Sequence, residues 1–283
     1  MPRWQIRAEI RAGRWKRHGR HCLAIHNGPL DARARARVAV FDTGADAALD
    51  GISALLEIGL KHFDAASVHV SVTKGARYRR TSGVRVHETR RRRPSDLMGR
   101  GLPKVKPGIA AIRAALWAET DRQAALILTM VVQQGLARIG DLAEEFRTVK
   151  RHRRRRFLTS VLGDIAGGAQ SMGELDFAAM CRRRGIPAPS RQVRRLLPSG
   201  RSYVDVYWDQ FGVILEIEGA HHLLPGIAVL DSLRQNELTI ANDHVLRIPV
   251  LGLRLAADEL FDQLERMLRR AGWSPVDSLA AVS

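Results

Sequence analysis

The stretch Tyr203–His222, YVDVYWDQFGVILEIEGAHH, constrains this chain more than any other. Ser202 to Trp208 alternates and is rich in Val, Tyr and Trp, which suit a pleated, half-buried surface. Phe211 to Ile217 reads as a second strand, with turn residues between the two at Asp209 to Gly212. Strand side chains alternate faces, so Tyr203, Asp205 and Tyr207 share one face, and Glu216 and Glu218 share a face with Ile214. A connection of roughly four residues pairs Trp208 with Val213 and sets Asp205 opposite Glu216. Three carboxylates then come together, with His221 and His222 just past the strand end.

Like charges directly opposite each other destabilise a hairpin, so something must offset them. One offset is a divalent cation, Mg²⁺ or Mn²⁺, held by one or two carboxylates together with phosphate and water. The other is an ordinary solvated strand face on which the acids pair with nearby arginines. Spacing alone leaves both open.

An Asp on one strand followed by Glu-x-acid on the next resembles the PD-(D/E)-x-K nuclease superfamily. The details are similar to its very-short-patch-repair (Vsr-like) endonuclease branch. That branch carries a Glu-Ile-Asp-Gly-x-x-His type run, then Arg-x-x-x-Leu on a helix, then a Val-Leu-Arg strand. The matching residues here are Glu216-Ile217-Glu218-Gly219-Ala220-His221-His222, Arg234 to Leu238, and Val245-Leu246-Arg247. The resemblance covers about Ser171 to Arg270. Glu218 stands where the branch has Asp, and the superfamily lysine is absent. The resemblance implies metal ligands at Asp205, Glu216 and Glu218, acid/base work by His221 or His222, and phosphate stabilisation by Arg234. On its own terms Arg234 also fits a surface pair with Asp231 at i, i+3, worth a few tenths of a kcal/mol, roughly. A superfamily Glu on the first core helix often points toward the metal, and Glu174 matches that place. Ser171 with Glu174 three residues on is equally a capping box, which is the stronger reading for Glu174.

Charge points to the partner. Lys and Arg number 46 against 29 Asp and Glu, a net +17. Such a surplus implies a polyanion, nucleic acid first and an anionic membrane second, although an arginine-rich proteome would also raise it. With 45% hydrophobic residues the chain is globular rather than disordered. Two cysteines far apart, Cys22 and Cys181, suggest neither a zinc site nor a disulfide framework and fit a reducing compartment. The charged start MPRWQIRAEIRAGRWKRHGRH lacks an apolar signal core, and the longest apolar run, Ala124 to Val132, is too short for a bilayer. A cytoplasmic protein with no membrane partner is therefore expected.

Trp4 to Ala12 reads as a helix stopped by Gly13, and RWKRHGRHCLAI reads as a basic hairpin. This resembles the recognition-helix end and wing of a winged helix. The rest of the N-terminal half is similar to the abortive-infection antitoxin (AbiEi-like) family, which implies DNA binding and a toxin partner. That family's first winged-helix segment has no counterpart here, implying a late start or an eroded unit. Arg11, Arg14, Lys16 and Arg17 are the expected phosphate contacts, or else an exposed basic helix end.

Helices are expected over Asp31–Phe41 and Ala47–Leu60, and Val68, Val70 and Val72 alternate as a strand partnered by Val84 to Thr89. His69 and His87 should face outward into solvent. A loop containing Pro103, Pro107 and Gly108 precedes helices at Ile109–Glu119, Asp121–Gln134, Ile139–Thr148 and Arg151–Ile165. The last opens on the densest charge run, Lys150, Arg151, His152, Arg153, Arg154, Arg155 and Arg156. Cations at a helix N-terminus oppose the macrodipole, which favours phosphate binding; a solvated linker helix is the alternative. Further on, Arg191–Leu196 and Asp243–Pro249 read as strands flanking the central hairpin, with helices at Met172–Arg184, Ile227–Ala241 and Glu259–Arg270.

The expected fold is thus an α+β N-terminal half, a partial winged helix plus helices, over residues 1–165. A C-terminal α/β restriction-endonuclease-like core with a mixed sheet follows over 171–272, then a flexible tail over 273–283. The function expected is Mg²⁺- or Mn²⁺-dependent hydrolysis of DNA. The alternative is a non-catalytic antitoxin or repressor on a degenerate nuclease fold. An RNA-binding module ranks last, because aromatics are only 5% and form no stacking motif.

Overall fold

A computed structural model describes residues 1–90, 92–167, 177–196, 202–218, 236, 245–249 and 252–274. The chain divides into two compact units, Met1–Glu119 with Gln134–Lys150, and Thr120–Gln133 with Arg151–Ser283. Both mix helix and sheet, in keeping with the α+β expectation. No helix among the described residues is long and apolar enough to cross a membrane.

The first unit opens with α1 (Arg3–Arg11), which buries none of its residues, and the ribbon β1 (Lys16–His18) and β2 (Cys22–Ala24). Next comes α2 (Ala32–Thr43), N-capped by Asp31, whose carboxylate accepts from the Ala34 amide at 2.6 Å. The stretch expected to be one helix over Ala47–Leu60 instead splits into β3 (Ala48–Leu49) and α3 (Gly51–Ile58), with Asp50 between them. Leu49 is drawn into extended pairing by bonds to Pro103 and Val105. β3 is antiparallel to β4 (Val68–Thr73), and β4 runs parallel to β5 (Val84–Thr89) in the register Val68↔Val84. The intervening segment returns without a helix, a short crossover for a parallel pair. α4 (Pro107–Trp117) packs on α3 and on a later helix, Ile139–Arg147. Pro107, read from sequence as a helix block, sits in the first turn of α4, where the missing N–H costs nothing.

The expectation of outward, solvated histidines is overturned. His87 lies flat on Trp117, with centroids 3.6 Å apart and planes 4° apart. Its Nε2 is 3.2 Å from His69 Nδ1. The reason is α4, whose Trp117 covers the strand face that the alternation had assigned to water. Gly51 makes room for the indole: at φ +54° a Cβ there would meet Trp117 at 2.9 Å. Asp50 is buried beside them, accepting from the Gly51 amide at 2.7 Å and pairing with Arg113 at 2.5 Å. Burial pushes both imidazoles down to about 4, helped by Arg85 at His69 and by His69, Arg85 and Arg113 at His87. Both rings are therefore neutral in the fold, and the unfolded chain takes up protons first as pH falls from 6.5. Stability from this stack is complete above that pH and is lost progressively toward 4. A urea midpoint followed against pH should fall across that window in the wild type and fall less steeply in His87→Gln; identical slopes would count against the stack.

The Ile139–Arg147 helix of the first unit is α6; the second unit holds α5 (Asp121–Gln133) and α7 (Arg155–Gly167). α5 packs on α7. The sheet has the order β6 (Arg191–Leu196), β7 (Ser202–Trp208), β8 (Val213–Glu218) and β9 (Val245–Pro249). The first three form an antiparallel meander, and β9 runs parallel to β8. One sheet face carries Val206, Trp208, Val213, Leu215, Ile217, Leu246 and Ile248, all buried. Against it lie α8 (Phe177–Arg183) and α10 (Ala257–Arg270), with the short α9 (Gly252–Leu255) between β9 and α10. Phe177 stacks on Phe261 at 5.4 Å and meets Trp208 edge-on at 6.1 Å. α10 buries Leu260, Leu264 and Leu268 at the expected spacing, with Asp258 and Glu259 in its first turn and Arg269 and Arg270 in its last, as the macrodipole favours. Trp273, expected to begin a frayed tail, is buried in this core, and its amide donates to Leu268 O at 2.9 Å. An indole buries enough apolar surface to hold position 273 against the core; residues 275–283 lie outside the described set.

Candidate functional site

The β7–β8 connection is a 3₁₀ turn, Asp209–Phe211, closed by Gly212 at φ 62°. It gives the expected register: Trp208↔Val213, Asp205↔Glu216 and Tyr203↔Glu218. The apolar alternation of both strands faces the helices, so Asp205, Tyr207, Ile214 and Glu216 occupy the other face. β9 extends the row, because Glu216 is in register with Arg247. Asp205, Glu216 and Arg247 thus lie side by side on three neighbouring strands.

Two different environments hold the two acids. Asp205 is 5% exposed, and the Tyr207 hydroxyl donates to its Oδ2 at 3.1 Å. Glu216 is half-buried and accepts from Arg247 Nε at 2.6 Å, while the Arg247 side chain remains 51% exposed. A cation from the third strand therefore faces the carboxylate pair, which reduces the repulsion expected of opposed acids. Asp205 departs from the solvated-face picture, because a buried carboxylate is costly unless polar or cationic neighbours compensate it.

Arg247 is itself held from behind. Asn236 is 1% exposed; its Nδ2 donates to Arg247 O at 3.0 Å and to Gln263 Oε1 at 3.1 Å, and its Oδ1 accepts from the Arg247 amide at 2.8 Å. One side chain thus satisfies both backbone groups of Arg247 on the outer side of β9. Truncating it would remove all three of these hydrogen bonds at a buried position. Asn236→Ala should cost about 2–4 kcal/mol in urea unfolding. A loss below about 0.5 kcal/mol would mean that water replaces the amide.

Several sequence-derived candidates lie outside the described residues: His221, His222, Arg234 and Glu174, as well as the side chain of Glu218. Among the described residues no group of three or more His, Cys, Asp or Glu side chains could hold a metal ion. Cys181 is fully buried, and burial pushes its thiol up to about 12, so it is no nucleophile.

The basic residues divide in a way that charge counting misses. Arg11, Lys16 and Arg17 are exposed. Arg14 is also exposed but pairs with Glu9 through two bonds of 2.6 and 2.9 Å, which holds the Glu9 carboxyl below its usual range. In the Lys150–Arg156 run, Lys150, Arg151, Arg153 and Arg156 are exposed and Arg155 is half-buried. Arg154 is a correction: its side chain is 4% exposed and its Nε donates to Asp121 at 2.7 Å, so it faces α5 rather than a phosphate. The run straddles the start of α7: residues 150–154 precede the helix, and Arg155 and Arg156 open it.

Sequence reasoning missed Tyr207 and Asn236 as partners of the acidic row. Tyr207 was legible, since it lies two residues from Asp205 on the same strand face. Asn236 carries no local signal, because its partners are distant in sequence. Arg247 was noted in its Val-Leu-Arg run, but its pairing with Glu216 depends on the β8–β9 register. No protein-family model, no curated protein and no solved structure matches this chain.

Proposed function

We propose that this protein is a metal-dependent DNA endonuclease. In this reading its C-terminal sheet is a restriction-endonuclease-like core of the very-short-patch-repair type, and its N-terminal unit is an antitoxin-like, winged-helix-derived DNA-binding region. The observation that carries the reading is the placement of Asp205 directly opposite Glu216 on one face of the sheet. Two hard oxygen donors fit Mg²⁺ or Mn²⁺, which take one or two carboxylates and complete their shell with phosphate and water. Asp205 and Glu216 would hold the ion, with Glu218 as a further ligand or as the holder of the attacking water. When bound, it would polarise the scissile phosphate and lower the pKa of that water. His222, or His221, would accept the proton of the water or donate one to the leaving oxygen. Arg234 would stabilise the phosphate charge.

A second reading has its own support. The Arg247–Glu216 pair already balances one acid without a metal, as expected of a DNA-binding antitoxin or repressor that acts with a toxin partner on a degenerate nuclease fold. Nicking of supercoiled plasmid with Mg²⁺ or Mn²⁺, wild type beside Asp205→Asn, separates the two. Metal-dependent nicking lost in the variant supports the nuclease. DNA binding without nicking under either metal replaces it with the repressor or antitoxin.

A further inference from the structure

Asp42 lies in the last turn of α2, where an acid opposes the helix macrodipole. It is nevertheless 3% exposed. Its carboxylate is used elsewhere: Oδ1 accepts from the Arg20 amide at 2.8 Å and the His21 amide at 2.9 Å, and Oδ2 accepts from Arg20 at 3.0 Å. These amides belong to the turn between β1 and β2. Gly19 opens that turn at φ +71°, and a Cβ there would lie 1.7 Å from Asp42 Oδ2. The turn is thus a concave set of backbone donors closed around a carboxylate of the same chain. A two-stranded ribbon of three-residue strands is marginal by itself, so an outside anchor matters.

The anchored turn carries cations. Lys16, Arg17 and Arg20 are exposed on the ribbon, and Arg17 donates to Arg20 O at 3.3 Å, which keeps the two residues adjacent. We propose that Asp42 is a positioning residue for nucleic-acid binding: it fixes the β1–β2 turn so that Lys16, Arg17 and Arg20 meet the phosphate backbone of a DNA duplex as one preformed group. The inference rests on the reading that this protein binds DNA.

The sign of the effect separates positioning from charge. Asp42→Asn removes a negative charge, so electrostatics alone would tighten binding to DNA. Positioning requires the opposite, because Asn keeps one acceptor oxygen but sets an amide N–H₂ against the Arg20 N–H where Oδ2 accepts. With the full chain and a fluorescein-labelled duplex, Asp42→Asn should weaken binding by about tenfold or more, and the slope of log K against log salt should become shallower by about 2. Lys16→Ser with Arg17→Ser should weaken binding similarly, and adding Asp42→Asn to that pair should cost little more, because the group is already lost. Gly19→Ala disturbs the same turn from the ribbon side, its Cβ displacing the carboxylate while the Asp42 charge is kept, and should match Asp42→Asn, which covers the case of Asp42→Asn failing to fold. Hydrogen exchange at the Arg20 and His21 amides should accelerate in both variants while the thermal midpoint stays above the assay temperature. Unchanged or tighter binding by Asp42→Asn, with those amides exchanging faster, overturns the role while leaving DNA binding intact. Absence of binding by the wild type overturns the DNA reading itself, and the role with it.

Discussion

Asp205→Ala should abolish metal-dependent nicking of supercoiled plasmid, by about 10³-fold or more, while DNA binding at low salt survives. The size follows from what the residue would do. A bound divalent ion contributes several kcal/mol of transition-state stabilisation, and each 1.36 kcal/mol is tenfold in rate. Truncation also removes a buried group whose Oδ2 accepts from Tyr207, so part of any loss could come from destabilisation. Asp205→Asn is the cleaner variant, because it keeps shape and an acceptor for the tyrosine while losing the charge that a cation needs. Glu216→Gln tests the opposite strand in the same way and leaves Arg247 with a neutral partner. Thermal midpoints at the assay pH show whether each variant is folded during the nicking assay. If Asp205→Asn nicks within about tenfold of wild type, Asp205 is no metal ligand and the carboxylate pair is structural. A Glu216→Gln variant that nicks normally would exclude the same role on β8.

Wild-type affinity for a DNA duplex should drop by about 10³-fold or more between 50 and 200 mM salt, as it does when six or more phosphates are neutralised. The motivation is the +17 charge and its clustering at exposed positions. The individual arginines of the Lys150–Arg156 run should behave differently. Arg153→Ser and Arg156→Ser each remove an exposed cation, and each should shallow the salt slope by about 1 without changing sequence preference. Arg154→Ser should instead act on stability, because that guanidinium is buried against Asp121. A flat titration, or no binding at low salt, would refute the nucleic-acid reading. An Arg154→Ser protein of unchanged stability but shallower slope would show that the buried pair opens to meet phosphate.

Local pattern determined much of this protein on its own. The alternation of Ser202–Trp208 and the turn residues after it specify the β7–β8 hairpin, and a one-residue slip would turn every core side chain toward the other face. Hence the Asp205↔Glu216 pairing is legible in the residues alone. The apolar spacing of α10 is equally sufficient. Burial cannot be read this way, since it depends on what another element brings to the same surface. The valine and histidine alternation of β4 reads as one dry valine face and one wet histidine face, but Trp117 of α4 covers the histidine face. Arg154 is one of five arginines between 151 and 156, and only the approach of Asp121 on α5 distinguishes it. Arg247 reaches Glu216 because β9 pairs parallel to β8 at one register, and Asn236 can hold it only after distant segments converge. Asp42 reads as a helix-end acid until the β1–β2 turn closes over it. Periodicity decides which way a side chain points within its own element. Charge pairing, desolvation and hydrogen-bond satisfaction depend on distances of a few ångströms between residues far apart in sequence, and those are settled by tertiary packing alone.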